Sequence, residues 1–342
     1  MPTAYNIDER YELHTLSNHP ENASRLIAIQ DLFDAHDLLT GLLIVPAQPV
    51  ADEDLLAVHQ PEHLTRLRQF AGRSVMFGPD TYAVPCSYET ARLAAGGVRR
   101  VVETVLDGEA DNGLAAIRPP GHHATPTAAM GFCLLNNIAV GARFARRQYD
   151  DVQRVAIVDY DVHHGNGTQD IFYTDPSVLY ISLHQSPLYP GTGHINEVGA
   201  GTGSGYTLNI PMQAGVGDGG YALMVNEVVI PALRRFEPDL LLVSAGFDAH
   251  WSDPLAGMQL SLRGYDYLTR QLIAVAQELC QGRIIFVLEG GYNLQALSNA
   301  WVNVAHALLG RADVVDPLGP AHGKETGVQR LCDHLQQLHK LA

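Results

Sequence analysis

Five short runs of continuous apolar residues constrain this chain most: Leu114–Ile117, Val155–Val158, Val178–Ile181, Leu240–Val243 and Ile284–Leu288. Each is closed by polar or glycine-rich residues. A strand wetted on one face alternates apolar and polar side chains, so a run apolar at every position fits a strand buried on both faces. Such strands need helices above and below them. Between the runs, Ala91, Ala94, Ala95, Val98, Val101, Val102 and Val105 recur at helical spacing. Leu223, Val225, Val228, Val229, Ala232 and Leu233 do the same, as do Leu268, Leu272, Val275, Ala276 and Leu279. Strands alternating with amphipathic helices predict an α/β fold, a parallel sheet with crossover helices. We find no fixed-period repeat, low-complexity tract or linker, so a single domain over 1–342 is expected. Its motif-bearing core runs from about 14 to 308, and 310–342 supplies a loop and a terminal helix carrying Leu331, Leu335 and Leu338. The Gly-rich stretch Tyr189–Gly205 predicts a long ordered loop, a place where function concentrates.

The reactive residues fall directly after these runs. Arg118-Pro-Pro-Gly-His-His123 follows the first, and Asp159-Tyr-Asp-Val-His-His-Gly-Asn-Gly167 the second. Ser244-Ala-Gly-Phe-Asp-Ala-His250 follows the fourth and Glu289-Gly-Gly-Tyr-Asn293 the fifth. Sites in open α/β sheets form beyond the carboxyl ends of strands, so these segments meet at one rim. Asp161 and His163 are two apart on an extended segment and point the same way. Asp248, from another strand end, completes a three-ligand set with an open fourth position, the pattern of a catalytic metal. Oxygen and nitrogen donors without thiolate suit zinc, with iron(II) or cobalt able to use the same set. His122 and His123 follow a stiff Pro-Pro-Gly turn and suit acid–base work near neutrality, with Asp159 and Asn166 available to orient them. Tyr292 follows two glycines and could donate to a developing oxyanion.

Other chemistries are absent. The sequence has no phosphate-binding Gly-x-x-x-x-Gly-Lys loop, no His-Glu-x-x-His helix and no Gly-x-Ser-x-Gly elbow. Lys plus Arg number 22 against 37 Asp plus Glu, a formal charge of −15, which argues against nucleic acid as a partner. The four cysteines are scattered and read as reduced, buried thiols of a cytoplasmic protein. The polar, acidic stretch Met1–His14 carries no signal-peptide core, and no apolar run is long enough to span a membrane.

Taken together, these motifs resemble the zinc-dependent histone deacetylase family. The likeness is strongest to its bacterial class II-like and acetylpolyamine amidohydrolase branch, and it runs from His19-Pro20-Glu21 to about Leu308. The resemblance implies an arginase-like fold with the active site at the carboxyl ends of the strands. It implies zinc on Asp161, His163 and Asp248, Asp159 behind His122, Asn166 behind His123, and Tyr292 as the transition-state tyrosine. Gly131 and Phe132 would line one wall of an acyl channel and Tyr189 the other. Asp80 would be the rim aspartate that holds the substrate backbone, and Leu255 and Gly290 would also bind substrate. A structural potassium ion is implied at Asp159, Asp161, His163, Ser182 and Leu183, and a second monovalent cation at Phe172, Asp175, Val178 and Tyr206.

The implied reaction is metal-assisted hydrolysis of an acetamide. The substrate would be acetyl-lysine in a protein or peptide, or else an acetylpolyamine or other small N-acetyl amine. Leu255, after Asp253-Pro254, stands where polyamine-selective members place a glutamate, which favours acyl-lysine. Self-association is left open. A dinuclear manganese ureohydrolase would need further aspartates where Gly165 and His250 stand, and a non-catalytic module would have lost a ligand, a histidine or Tyr292.

Overall fold

The computed structural model describes residues 2–341. Among the described residues are ten strands: β1 (Thr3–Asn6), β2 (Leu42–Ile44), β3 (Val75–Met76), β4 (Tyr82–Ala83), β5 (Asn112–Ala115), β6 (Val155–Asp159), β7 (Val178–Gln185), β8 (Thr207–Met212), β9 (Leu240–Ala245) and β10 (Ile284–Leu288). Eight form one sheet in the order β2-β1-β5-β10-β9-β6-β7-β8, and β3 and β4 pair separately. Every neighbour in the large sheet is parallel. The five apolar runs are thus β5, β6, β7, β9 and β10, buried on both faces as continuous apolar runs require.

The helical patterns also appear, as helices Ser87–Leu106 and Leu262–Cys280. The third is a helix from Asp218 to Phe236 interrupted by a π-helical turn over Val225–Val229. The terminal helix spans Gln329–His339. It buries Leu335, while Leu331 and Leu338 are only half-buried. The stretch from Tyr189 to Gly205 is irregular apart from a short 3-10 turn at Gly201–Gly203.

Three strands of the large sheet lie outside the sequence reading, as do β3 and β4. The polar-looking amino-terminal stretch contains β1, with Thr3 and Asn6 as buried as Ala4 and Tyr5. Parallel pairing to both β2 and β5 satisfies its backbone. The Asn6 amide donates to the Val45 carbonyl at 2.8 Å, and its side-chain oxygen accepts from the Tyr11 hydroxyl at 2.7 Å, so a polar residue is tolerated there. Of the edge strands, β2 is only three residues long and buries Leu42 alone, and β8 is interrupted by Asn209 and Pro211. Of the cysteines, Cys133, Cys280 and Cys332 are buried, whereas Cys86 is only half-buried; all four are free thiols.

Candidate active site

The carboxyl ends of β5, β6, β9 and β10 are neighbours in the sheet, and the segments that leave them build one site. Ligand atoms of Asp161, His163 and Asp248 lie within 4.8 Å of one another, the one such cluster among the described residues. His163 Nδ1 lies 3.2 Å from Asp161 Oδ1 and 3.1 Å from Asp248 Oδ2. Backbone amides fix the carboxylates: Gly290 N–H donates to Asp161 Oδ2 at 2.7 Å, and Val162 N–H to Asp248 Oδ1 at 2.9 Å. Two fully buried carboxylates this close repel each other. Burial and the charge of Asp161 push Asp248 up to about 7. Burial works against the Asp161 anion too, yet the charges of His122 and His163 hold it below the usual carboxylate range. Two carboxylate oxygens and one imidazole nitrogen, preformed within 4.8 Å of one another, fit a divalent cation with an open coordination position.

Beside this cluster stand the paired histidines. His122 Nδ1 is 3.0 Å from Asp159 Oδ2, which also accepts from the Tyr180 hydroxyl at 3.1 Å. His123 Nδ1 is 2.8 Å from the Asn166 side-chain oxygen. Both pairings match the sequence expectation. The environments drive the two rings apart. Burial opposes a charge on His122, but Asp159 and Asp161 outweigh it and hold the ring up to about 10. Burial, with His122 and His163 as cationic neighbours, pushes His123 well below its usual range. Because an amide oxygen only accepts, His123 carries its proton on Nδ1 and leaves Nε2 as the basic atom. One ring is thus cationic and the other neutral, the division that acid–base chemistry uses.

These groups open onto a cleft of about 220 Å³ lined by Asp80, His123, Gly131, Phe132, His163, Leu188, Tyr189, Leu255 and Tyr292. Every expected substrate-binding residue is present except Gly290, which requires a correction. Gly290 lies beneath the ligands: a Cβ there would stand 2.3 Å from Asp248 Oδ2 and 2.5 Å from Asp161 Oδ2. It packs against the ligands and is not among the residues that line the cleft. Gly246 presses on Asp161 from another strand end, its would-be Cβ 2.1 Å from Oδ2. Burial, then the charge of Asp248, raises the Tyr292 phenol well above its usual range, so it remains a neutral donor. The Arg25 guanidinium sits 5.3 Å from the centre of that ring, and Arg25 Nε–H donates to the Gly291 carbonyl at 2.8 Å.

Residues of the expected cation sites fall as follows. Asp159 and Ser182 are register partners in β6 and β7, and Leu183 continues β7. The Ser182 hydroxyl is 2.9 Å from His184 Nδ1. Phe172, Asp175 and Val178 follow one another through a turn, with Asp175 N–H donating to the Phe172 carbonyl at 3.0 Å. The Tyr206 carbonyl accepts from Tyr180 at 2.9 Å. Arg143 pairs with the Asp175 carboxylate, so a positive charge already stands there.

Several functional groups escape the sequence reading. Glu289, fully buried, accepts from the backbone of Gly121 at 2.7 Å and of His122 at 3.1 Å, pinning the turn that presents both histidines. An acidic residue abutting an apolar run is its one signal. Asp253 accepts from the backbone of Tyr292 at 2.7 Å and of Leu255 at 2.9 Å, joining the tyrosine to the cleft mouth. Leu188 adds to the wall. Glu197 is engaged by Gln169 Nε2 at 2.7 Å and does not line the cleft; among the described lining residues above the metal cluster, Asp80 alone is acidic.

Residues 19–308 match the family model described as the histone deacetylase domain. The chain is 41% identical over 306 residues to the histone deacetylase-like amidohydrolase of Pseudomonas aeruginosa, covering 88% of this chain and 80% of that protein. It is 41% identical to a probable deacetylase of Archaeoglobus fulgidus over 298 residues, 86% of this chain and 82% of that one. Histone deacetylase 10, chloroplastic, of Oryza sativa is 40% identical over 351 residues, 96% of this chain and 79% of the rice protein. Among solved structures, the crystal structure of the HDA15 HD domain superposes with a TM-score of 0.90 at 38% identity, covering 99% of this chain and 94% of that one.

Proposed function

Because the chain belongs to the histone deacetylase family and is a hydrolase of the deacetylase and amidohydrolase type, we propose that it removes acetyl groups from acetyl-lysine side chains. The observation that carries this reading is the convergence of the Asp161–His163–Asp248 cluster, the His122–His123 pair and Tyr292 around one cleft. Zinc, one ion per chain, is the metal we assign to the cluster; bound there it supplies a Lewis acid for the amide carbonyl and acidifies water. Neutral His123 takes the water proton through Nε2 and returns it to the leaving amine. His122, held cationic by Asp159, offsets the negative charge that develops nearby. The Tyr292 hydroxyl donates to the carbonyl oxygen as that oxygen becomes anionic, an interaction of about 3–4 kcal/mol for a well-placed donor.

Phe132 and Tyr189 flank the acyl chain, and Asp80 holds the substrate backbone at the rim. Potassium is assigned to Asp159, Asp161, His163, Ser182 and Leu183, supported by the adjacent buried carboxylates of Asp159 and Asp161. A second monovalent cation at Phe172, Asp175, Val178 and Tyr206 competes with Arg143 for Asp175. The whole chain acts as one catalytic domain. Four unbridged cysteines support a reducing compartment such as the cytoplasm. Among the described residues no helix is long and apolar enough to cross a membrane.

The substrate choice rests on Leu255, which lines the cleft with 36% of its surface exposed and offers apolar contact to the methylenes of lysine. The test compares kcat/KM for an acetyl-lysine peptide and for acetylspermidine, with metal content measured alongside. The peptide should be preferred, and Leu255→Glu should move the ratio toward the polyamine by roughly ten- to a hundredfold, the scale of one charge-assisted hydrogen bond. A natural protein that already favours acetylspermidine, with a ratio unmoved by Leu255→Glu, would defeat this assignment.

A further inference from the structure

A cavity of about 580 Å³, larger than the catalytic cleft, lies at the opposite end of the strands and shares no lining residue with that cleft. Its lining includes Arg154, which immediately precedes β6, Leu179 near the start of β7, and Tyr206, which immediately precedes β8. It therefore opens at the amino ends of strands whose carboxyl ends face the catalytic rim. The volume falls in the range of small-molecule sites, roughly 300–1,000 Å³.

Its charge is the reverse of the protein's. In a chain of formal charge −15, Arg154, Arg235 and Lys340 all line this one cavity. Arg154 pairs with the exposed Glu237 at 3.3 Å, and Arg235 donates to the His339 carbonyl at the end of helix Gln329–His339. Among the described residues no carboxylate forms an ion pair with Arg235 or Lys340. His339 also lines the cavity and is 5% exposed, and its Nε2 is buried without a hydrogen-bond partner. Burial and the neighbouring Arg235 keep that ring down at about 4, consistent with a positive potential there. The aromatic rings of Tyr206 and Phe236 meet edge to face at 5.8 Å in the wall, adding a surface for a flat apolar body.

We propose that this cavity is a second ligand site, independent of the catalytic reading, which takes a phosphorylated organic anion of nucleoside-monophosphate size. Arg154, Arg235 and Lys340 receive the phosphate, whose oxygens match guanidinium and ammonium donors. His339 Nε2 supplies the remaining polar contact, and Tyr206 and Phe236 border the ring system.

The experiment is calorimetric titration of the full chain with adenosine monophosphate, inorganic phosphate and adenosine as separate probes. Adenosine monophosphate should bind once per chain, more tightly than either fragment, and less tightly as salt is raised. The double variant Arg154→Glu, Lys340→Glu should weaken that binding by roughly ten- to a hundredfold, with its melting temperature and acetamide hydrolysis retained. Both positions lie outside the catalytic cleft, and the milder pair Arg154→Gln, Lys340→Gln, which sets no second carboxylate beside Glu237, should weaken binding in the same direction. Failure of adenosine monophosphate to bind would overturn the assignment, as would an affinity unmoved by the double reversal. Adenosine binding as tightly as its monophosphate would overturn it equally, because the cations would then have no role.

Discussion

Replacing Gly290 by alanine should cost the protein its metal before it costs the fold. The added Cβ would lie 2.3 Å from Asp248 Oδ2 and 2.5 Å from Asp161 Oδ2, about 1 Å inside ordinary contact. Neither carboxylate can retreat freely, since Val162 N–H holds the first at 2.9 Å and Gly290 N–H itself holds the second at 2.7 Å. Metal–ligand distances tolerate only about 0.2 Å, so the required displacement is several times what coordination allows. Disturbing one supporting contact typically lowers metal affinity by about 10- to 100-fold. Here two of three ligands move, so we expect at least a hundredfold loss of zinc affinity, about 2.7 kcal/mol. Competition with a fluorescent chelator measures the affinity, and far-ultraviolet circular dichroism checks that the sheet and helices persist. A folded Gly290→Ala variant that binds zinc as the natural protein does would refute the reasoning and the ligand assignment with it.

Two further outcomes follow from groups outside the metal cluster. Asp253→Asn removes an acceptor for the backbone amides of Tyr292 and Asn293; kcat should fall roughly ten- to a hundredfold through misplacement of the phenol while bound zinc, measured by elemental analysis, stays at one per chain. Acid should unfold the protein early. Burial holds His14, His59 and His184 each down at about 3, below the usual 6.5, so the unfolded chain takes up protons first as pH falls through 6.5. Each contributes stability that is present above 6.5 and lost toward 3, about 2 kcal/mol of it by pH 5; Glu289, pushed up to about 7 by burial, works in the opposite sense. The urea midpoint should drop clearly between pH 7 and pH 5, and an unchanged midpoint would show that these rings are not buried neutral.

How far the sequence can be read depends on what each residue does. The strands at the centre of the sheet are legible because burial on both faces demands unbroken apolar runs, as in Ile284–Leu288. Strand β1 is not, because the side chains of Asn6 and Tyr11 satisfy each other inside the fold, a pairing that no local pattern displays. Asp161, His163 and Asp248 are legible because ligands must be nucleophilic side chains at strand ends. Glu289, Asp253 and Arg25 act through backbone atoms of distant segments, Gly121, Tyr292 and Gly291, so their roles exist only once the chain is folded. Gly290 enters the substrate-binding set only through the family resemblance; its close approach to the carboxylates of Asp161 and Asp248 is a feature of the folded chain.

The strand order carries a consequence for how the protein comes into being on the ribosome. Strand β10 is the last of this sheet's described strands to be synthesised, yet it lies in the middle of the sheet, hydrogen-bonded to β5 on one side and β9 on the other. Until it emerges, β1, β2 and β5 have no lateral connection to β6, β7, β8 and β9, and the sheet exists at best as two halves. The nascent chain already carries Asp161, His163 and Asp248, but the amide of Gly290 that braces Asp161 arrives with the closing strand. Insertion of that strand also brings the histidine turn, anchored beside β5, up to the ligands on the far half. Synthesis and competence are thereby coupled: translation must pass the last strand before the two halves can become one working centre.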